Sequence, residues 1–381
     1  MHSFLRAGLM AALLLVPATA FLQVVADMPV EALSGGSFSN DDAGSTAYLH
    51  PTATLDAKQT ELFALGHKMF HNRWAFFWFE NAEFGRGPTS NAQSCTTCHA
   101  NNGRGVAPVT AHAAITGVDG AARDHHITVP YEPAPNLVIR LSLKGNGPHG
   151  GPLPHPDYGD QLQIFGVKGV VPAEGQFSIE WREQVASAFL NDIGLSSPVY
   201  PDQNCPPVQK VCKEQMVAGK PEITALRLDA TQLYIRALTV PARRQTDDAR
   251  VKRGEQLFAQ AHCSVCHVPE LKTGESASLP QLARQTIRPY TDLLLHDMGD
   301  GLADGRPDFL AGASEWRTPP LWGIGLSETV NGANAFLHDG RARNFTEAIL
   351  WHRGEAEVSR EAFRNFTRED RAALITFLGS L

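Results

Sequence analysis

The sequence predicts a mainly α-helical protein built from two similar halves, and three observations support this prediction. The motif Cys-x-x-Cys-His occurs at residues 95–99 and again at 263–267. An apolar pattern of helical spacing precedes each copy and has a glycine in its middle, Gly66 in the first half and Gly254 in the second. A further helical pattern closes each half. These spacings indicate an internal repeat whose first copy is the longer one.

Each Cys-x-x-Cys-His motif has the pattern that attaches a c-type haem. The two thiols add to the haem vinyl groups, and the adjacent histidine supplies an axial nitrogen to the iron. A zinc site or a redox dithiol is the alternative for one motif, but two copies with histidine in the same place favour haem. Helices before each motif and at the end of each half predict two cytochrome c-like haem domains with long loops. The motif residues are Cys95, Cys98, His99, Cys263, Cys266 and His267.

The first twenty residues have the three parts of a secretory signal peptide, 1–20. A short basic opening precedes ten apolar residues, 7–16, and small residues follow as far as Ala20. The apolar run is too short to span a bilayer, and no later stretch is long enough. We therefore expect a periplasmic protein with no transmembrane span in the mature chain. An uncleaved N-terminal anchor is the alternative.

The composition fits a globular protein and argues against one class of partner. The chain has 381 residues, of which 43% are hydrophobic, and this is enough for two sizeable cores. Its net charge of −7 gives no reason to expect nucleic acid as a partner. A redox partner protein, as electron donor or acceptor, is the macromolecular contact that we expect.

The elements that follow the signal peptide divide the chain into three parts. Small and polar residues predict a flexible segment over 21–50. The first haem domain, 51–243, begins with a helix that Asp56 caps, and it contains insertions rich in glycine and proline. The second haem domain, 247–381, ends in a helix that begins after Thr367.

Two cysteines lie outside the haem motifs, in a proline-rich loop. In an oxidising compartment, a local disulfide between Cys205 and Cys212 is the economical interpretation. A catalytic dithiol is the alternative, but this loop lacks the Cys-x-x-Cys spacing. We expect a structural disulfide.

Several segments besides the two motifs match a known family: residues 102–105, 158–163, 295–299, 317–323 and 336–343. On these residues the chain resembles the di-haem oxidoreductase family of peroxidase-like proteins, also catalogued as thiol oxidoreductase-like. It is more distantly similar to bacterial di-haem cytochrome c peroxidases. The resemblance covers nearly all of the mature chain and implies two haems that exchange electrons.

The resemblance also implies a position for the distal ligand of the C-terminal haem. In the peroxidase relatives this ligand is usually a methionine that lies shortly after the segment matching 336–340. His352 occupies that position here, and imidazole in place of methionine lowers the haem potential. Met298 is the other candidate for this ligand. The alternative for His352 is a histidine on the helix surface that binds no metal.

Peroxide chemistry needs an iron with an open position and an acid–base residue for O–O cleavage. For the N-terminal haem, His112 lies where the relatives have a displaceable histidine, and His67 and His71 on the first helix are further candidates. If none of them binds, this iron is five-coordinate. The candidates for the acid–base residue lie in the loop region where the relatives have theirs: Asp160, Gln161 and Glu174.

Two smaller expectations concern charged residues of the second domain. Arg341 and Arg343 are candidates for hydrogen bonds to haem propionates, with surface ion pairing as the alternative. Calcium is a weaker expectation, because the peroxidase relatives bind one and Asp300, Asp304 and Asp308 are close in sequence. Their loop lacks the spacing of an EF-hand.

Two function classes follow from these expectations. The first is an enzyme that reduces hydrogen peroxide, or uses it to oxidise a substrate, at one haem that receives electrons from the other. The second is an electron carrier with two six-coordinate irons and no catalytic activity.

Overall fold

The fold comes from a computed structural model of the chain. It describes residues 28–75, 82–87, 89–105, 139–140, 143–146, 152–154, 161–162, 165–166, 184–203, 205, 212, 219–276, 279–308 and 311–381. These residues are predominantly helical, as the sequence predicts. The signal peptide expected over 1–20 lies outside them.

The helices are α1 (Ala57–His71), α2 (Cys95–Cys98), α3 (Gln184–Asn191), α4 (Ala225–Arg236), α5 (Ala249–Gln260), α6 (Ser327–Asn331), α7 (Phe345–Trp351), α8 (Glu357–Asn365) and α9 (Arg368–Ser380). The strands are β1 (Ser39–Asn40), β2 (Trp74–Ala75), β3 (Glu83–Phe84), β4 (Thr89–Ser90), β5 (Ile139–Arg140), β6 (Leu143–Asn146), β7 (Pro152–Leu153), β8 (Gln161–Leu162), β9 (Phe165–Gly166), β10 (Val240–Pro241), β11 (Leu271–Lys272), β12 (Thr286–Ile287), β13 (Leu295–Asp297) and β14 (Glu315–Arg317). They pair as β1–β10 and β2–β3 in parallel, and as β4–β9, β5–β8, β6–β7, β11–β12 and β13–β14 antiparallel.

The first half is organised by the crossing of α1 with α4. Asp56 begins α1 with a capping box, in which its carboxylate accepts from the backbone of Gln59 at 2.8 Å. Gly66 lies at the crossing, where a Cβ would collide with the carbonyl oxygen of Ala230 and lie 2.6 Å from Cβ of Tyr234. Only glycine lets the two helix backbones approach this closely, which is why a residue unfavourable for helices stands in mid-helix.

The second half repeats this crossing with α5 and α9. A Cβ on Gly254 would collide with the carbonyl oxygen of Ala373 and lie 2.6 Å from Cβ of Phe377. The backbone of Asp370 donates to the hydroxyl of Thr367 at 3.1 Å, so the predicted cap of the last helix is present. The two glycines therefore mark equivalent positions in an internal repeat.

An aromatic pair lies beside each crossing, one turn after the glycine. In the first half, the rings of Phe70 and Tyr234 are 5.6 Å apart between centroids. In the second half, the rings of Phe258 and Phe377 are 5.3 Å apart. The buried cluster around Phe258 extends through the second half and includes Val251, Leu257, Tyr290, Leu321, Phe336, Phe363 and Leu374. Each half thus has an apolar core next to its Cys-x-x-Cys-His motif.

The segment of residues 28–50, here called the strap, differs from the flexible segment that its composition predicts. Phe38 and Ala47 are buried, and β1 of the strap pairs with β10. Backbone hydrogen bonds join the strap to Arg243 and to Arg288, at 2.9 and 2.7 Å. Its few apolar side chains fill gaps between elements that are distant in sequence, and local composition gives no sign of such contacts.

Among the described residues, none of the helices is both long and apolar enough to cross a membrane.

Candidate functional site

The first motif forms the short helix α2 and positions His99 directly after it. The Ser94 hydroxyl caps α2 by accepting from the backbone of Thr97 at 3.2 Å. Nδ1 of His99 lies 3.0 Å from the carbonyl oxygen of Gly103, so the ring donates to that carbonyl. Burial lowers the pKa of His99. The neutral ring therefore directs the lone pair of Nε2 away from its own loop, as an iron ligand requires.

The second motif follows α5 and gives His267 the same orientation. Nδ1 of His267 donates to the carbonyl oxygen of Tyr290 at 3.0 Å. Burial lowers the pKa of His267 to about 4, so the ring is neutral at physiological pH. Phe258 packs against the His267 ring at 6.2 Å, and Phe70 packs against His99 at the same centroid distance. The imidazole rings of the two motifs are therefore held by the same contacts, a backbone carbonyl and a phenylalanine ring.

None of the four motif cysteines forms a disulfide, and burial raises the pKa of three of them, Cys95, Cys263 and Cys266. Burial raises the pKa of Cys95 and of Cys263 to about 12. A redox dithiol depends on a thiolate of lowered pKa, so this environment disfavours that alternative. Addition of a thiol to a haem vinyl group leaves a neutral thioether, which this environment suits. Cys205 and Cys212 instead form a disulfide with 5.8 Å between their Cα atoms.

His352 lies at the end of α7 and faces the second motif. The cap residue Asn344 accepts from the backbone of Glu347 at 2.9 Å and starts this helix. Nδ1 of His352 donates to the carbonyl oxygen of Ala348 at 2.7 Å, which leaves Nε2 available. Burial lowers the pKa of His352, and His352 is also close enough to lower the pKa of His267. The two imidazoles of the second half thus lie near each other.

Met298, the rival ligand, lies just beyond β13. Its side chain is half-buried, and its backbone nitrogen donates to the carbonyl oxygen of Ser314 at 2.9 Å. The neighbouring His296 has both ring nitrogens occupied, with Nε2 at 2.8 Å from Asp292 and Nδ1 at 2.9 Å from Glu355. The Glu355 carboxylate, followed by Asp292, raises the pKa of His296 and so favours the imidazolium form, which has no lone pair for a metal.

The family comparison agrees with this geometry. A family model described as "Di-haem oxidoreductase, putative peroxidase" matches residues 30–177 and 178–381. The chain belongs to the di-haem oxidoreductase family. Membership of this family implies two haems. Each Cys-x-x-Cys-His motif offers two thiols and one imidazole, which a backbone carbonyl holds in place, for one haem. No curated protein sequence matches the chain.

Cys266, Asp292 and His296 of this di-haem oxidoreductase lie close enough for their donor atoms to hold a metal ion. Cys266 belongs to the second Cys-x-x-Cys-His motif, and both ring nitrogens of His296 are bound to carboxylates. We therefore do not interpret this cluster as a separate metal site. Sequence reasoning missed Asp292 and Glu355. The first lies 25 residues after the second motif and the second lies in the turn after His352, and neither position carries a recognisable metal-site spacing.

The two histidines of α1 lie beside the aromatic pair of the first half. The rings of His67 and His71 stack at 4.0 Å, and His67 meets the edge of Tyr234 at 5.4 Å. Nδ1 of His71 bonds to the carbonyl oxygen of His67 at 2.9 Å. Phe70, on the same helix, packs against the ring of His99. Phe70 therefore contacts both His71 and His99, and the pair lies near the first motif.

The charged candidates of the second half are held by neighbouring protein groups. Arg341 bonds to Asp339 at 2.5 Å and lies 4.7 Å above the ring of Trp351. Arg343 pairs with Glu347 on the surface. Each arginine therefore has a carboxylate partner within the protein. Asp304 accepts from the backbone of Arg306 at 2.8 Å, and the described residues bring no metal-binding group together from Asp300, Asp304 and Asp308.

Several predicted site residues cannot be placed. His112, Asp160 and Glu174 lie outside the described residues. Gln161 lies in β8, opposite Arg140 of β5.

Proposed function

We propose that this chain is an exported di-haem oxidoreductase with c-type haems on its two motifs. Cys95 and Cys98 would attach the N-terminal haem with His99 as its proximal ligand, and the second motif would do the same for the C-terminal haem. Electrons pass between the haems, and hydrogen peroxide is reduced at the N-terminal one. Reduction of one peroxide to two waters consumes two electrons and two protons, and a redox partner protein supplies the electrons. The alternative is a non-catalytic electron-transfer protein.

The observation that carries this proposal is the shared geometry of three histidines. His99, His267 and His352 each donate Nδ1 to a backbone carbonyl, at 3.0, 3.0 and 2.7 Å. Each one is thereby fixed as the neutral tautomer with Nε2 available, which is how proteins prepare imidazole for a metal. The second half contains two such rings close to each other, so His267 and His352 would both hold the C-terminal iron.

An iron with two imidazole ligands is closed and low-spin, which suits storage and transfer of an electron. Peroxide must then react at the N-terminal haem, where His112 is the proposed displaceable ligand. The haem supplies the redox chemistry when bound. The chain holds the proximal imidazole through Gly103, and we propose Asp160, Gln161 or Glu174 as the residue that moves the proton.

The first experiment counts the haems and reads their spin states. Two c-type haems per chain should remain after acid–acetone extraction, measured by the pyridine haemochrome spectrum. Electron paramagnetic resonance should show one low-spin haem that belongs to the second half. Recovery of one haem or none would refute the proposal.

The second experiment replaces His352 with alanine. We expect one haem to change from low-spin to high-spin and its potential to shift, while both haems stay attached. The matched control is His262→Asn, because His262 is exposed, lies next to Cys263 and has a φ of 61° that asparagine tolerates. An unchanged low-spin signal in the alanine variant would move the assignment to Met298. Two low-spin irons that do not react with peroxide, even after one-electron reduction, would favour the carrier function.

A further inference from the structure

The turn that follows His352, Gly354–Ala356, packs directly against strand β13. Gly354 has a φ of 55°, which favours glycine. A Cβ at this position would collide with the carbonyl oxygen of Asp297 and lie 2.8 Å from the backbone nitrogen of Gly299. Glycine therefore satisfies two separate requirements here, a left-handed backbone and a close approach of the turn to the end of β13.

Strand β13 is a fixed base for this turn because its other edge is paired. It forms an antiparallel pair with β14, and the nitrogen of Met298 donates to the carbonyl oxygen of Ser314, just before β14, at 2.9 Å. Successive backbone groups of such a strand point to opposite edges. The nitrogen of Asp297 accordingly donates to Oε1 of Glu355 at 3.0 Å, on the side of the turn.

The second carboxylate oxygen of Glu355 contacts a side chain of the same strand. Oε2 of Glu355 lies 2.9 Å from Nδ1 of His296, and Nε2 of His296 lies 2.8 Å from the carboxylate of Asp292. Asp292 in turn accepts from the backbone of Leu294 at 2.9 Å. Because both nitrogens of the His296 ring are bound, the ring cannot rotate without losing a hydrogen bond. Both oxygens of Glu355 are therefore held on β13.

The residue before His352 contacts the loop that follows β13. Nη1 of Arg341 donates to the carbonyl oxygen of Gly301 at 2.6 Å, and its guanidinium group lies 4.7 Å above the ring of Trp351. The Trp351 ring also comes within 3.8 Å of the place that a Cβ on Gly301 would occupy. The chain is therefore held on both sides of His352, through Trp351 before it and Glu355 after it.

This support matters because His352 lies at the less buried end of a short helix. Helix α7 has seven residues, and helices of this length are unstable on their own. Its contacts with the core of the second half come from Phe345, Ala348 and Ile349. The last two residues of the helix, Leu350 and Trp351, are exposed. Metal–ligand distances vary by only about 0.2 Å, so a small movement of this end withdraws the imidazole from an iron.

We propose that His296, Gly354 and Glu355, here called the latch, position His352 on the C-terminal iron and so keep that iron closed. The inference rests on the proposed function, because it requires His352 as the distal ligand. The residues of the latch are positioning residues that act through His352. Without the latch the end of α7 can move away from β13, and in a fraction of the molecules His352 leaves the iron.

Cyanide measures that fraction at the ferric C-terminal haem. Cyanide must replace His352 on the iron, so its apparent affinity rises in proportion to the fraction of molecules in which His352 is released. Glu355 accepts two hydrogen bonds, from Asp297 and from His296. Each is exposed to solvent and is worth about threefold in an equilibrium constant. Loss of both should therefore increase the released fraction about tenfold.

The experiment compares the holoprotein with Glu355→Ala, Glu355→Gln and Gly354→Ala by cyanide titration and electron paramagnetic resonance. The signal of the C-terminal haem is the low-spin signal that His352→Ala removes. Glu355→Ala should bind cyanide about tenfold more tightly at this haem. Glu355→Gln should have a smaller effect, because the amide keeps an oxygen that accepts from Asp297. Gly354→Ala forces the turn away from β13 and should convert part of the low-spin signal to high-spin.

Two matched controls separate the latch from backbone strain and from loss of a surface charge. Gly305 is exposed, has a φ of 77° and has open space around its Cβ, so Gly305→Ala introduces the strain without the collision. Glu361→Ala removes an exposed carboxylate that pairs with Arg360 and Arg364 of its own helix. Both controls should leave the cyanide affinity and the low-spin signal unchanged. A response equal to that of the latch variants would mean general loosening of this half and would overturn the latch.

The variant His352→Ala separates failure of this inference from failure of the proposed function. If His352→Ala opens the C-terminal iron while Glu355→Ala and Gly354→Ala keep the wild-type spin state and cyanide affinity, the latch is wrong and the ligand assignment stands. If His352→Ala leaves the low-spin signal unchanged, His352 is not the ligand, and the latch is refuted together with that part of the proposed function. If Gly354→Ala does not load haem, Glu355→Ala supplies the test, because the Glu355 side chain is exposed.

Discussion

The two halves share a scaffold and differ in what surrounds their proximal histidines. Each has a glycine at a helix crossing, an aromatic pair one turn later and a histidine that donates to a backbone carbonyl. In the first half that carbonyl belongs to Gly103, four residues after His99. In the second half it belongs to Tyr290, and the half adds His352 as a second available imidazole. The two halves therefore repeat the helix crossing, the aromatic pair and the motif histidine. They differ in the segments that carry Gly103, Tyr290 and His352.

The largest effect should come from the crossing glycines. Gly66→Ala and Gly254→Ala would place a Cβ against a helix backbone that cannot move aside, so we expect a loss of about 3 kcal/mol or more in the free energy of unfolding. Gly379→Ala is the matched control, because it is also helical and has open space around its Cβ. It should gain about 0.5–1 kcal/mol from helix propensity. Urea denaturation measures all three, and a large loss in only one of the two crossing variants would break the equivalence of the crossings.

Loss of the disulfide should have the next largest effect, and only in the first half. Replacing both Cys205 and Cys212 with serine removes a link that closes a loop of about eight residues, which is worth about 2 kcal/mol by chain entropy. Thermal denaturation should show the loss, while the haem spectrum stays unchanged. Loss of peroxide activity in a variant that remains folded would instead favour a catalytic dithiol.

A smaller effect should follow Tyr234→Phe, which makes the first crossing resemble the second. Nδ2 of Asn102 donates to the Tyr234 hydroxyl at 2.6 Å and to the carbonyl oxygen of Tyr48 at 3.1 Å. The variant loses the first bond and keeps the second, so we expect about 1 kcal/mol of destabilisation, measured by urea denaturation. Phe377→Leu at the equivalent position should instead lower stability through lost packing alone. No change in the Tyr234 variant would mean that the hydroxyl is dispensable.

The smallest effect should be a pH dependence at the start of α7, which carries His352. Arg343 lowers the pKa of Glu347 to about 2. Because the folded-state pKa lies below the unfolded one, this contribution to stability is present above about pH 4.5 and is lost as the pH falls toward 2. In Arg343→Ala, the stability lost between pH 4.5 and 2 should be smaller than in the wild type. Parallel stability curves for the two proteins over that range would contradict the assignment.

Features that depend on local spacing could be predicted from the sequence. The mid-helix glycines, the caps at Asp56 and Thr367 and the helix that leads to His352 all follow from residues within one or two turns. The structure assigns each of them a physical role, such as the contact of Gly66 with Ala230.

Features that depend on distant partners could not be predicted. The strap contains few apolar residues, and its burial results from contacts with Arg243 and Arg288 far along the chain. Arg104 donates to the carbonyl oxygen of Pro320, 216 positions along the chain, and a carbonyl oxygen carries no residue identity that a sequence pattern could show. Arg341 lies in a segment that matches the family, but the pattern does not show that Asp339 and Trp351 hold it.

The strap also determines the order in which the molecule can fold. The hydrogen bond from the Ser37 hydroxyl to Gln285 spans 248 positions of the chain, so it cannot form until the whole first half and the beginning of the second half exist. Closing so long a loop is slow in comparison with the pairing of neighbouring helices. The strap, although it is made early, is therefore secured only after distant segments of the chain have come together.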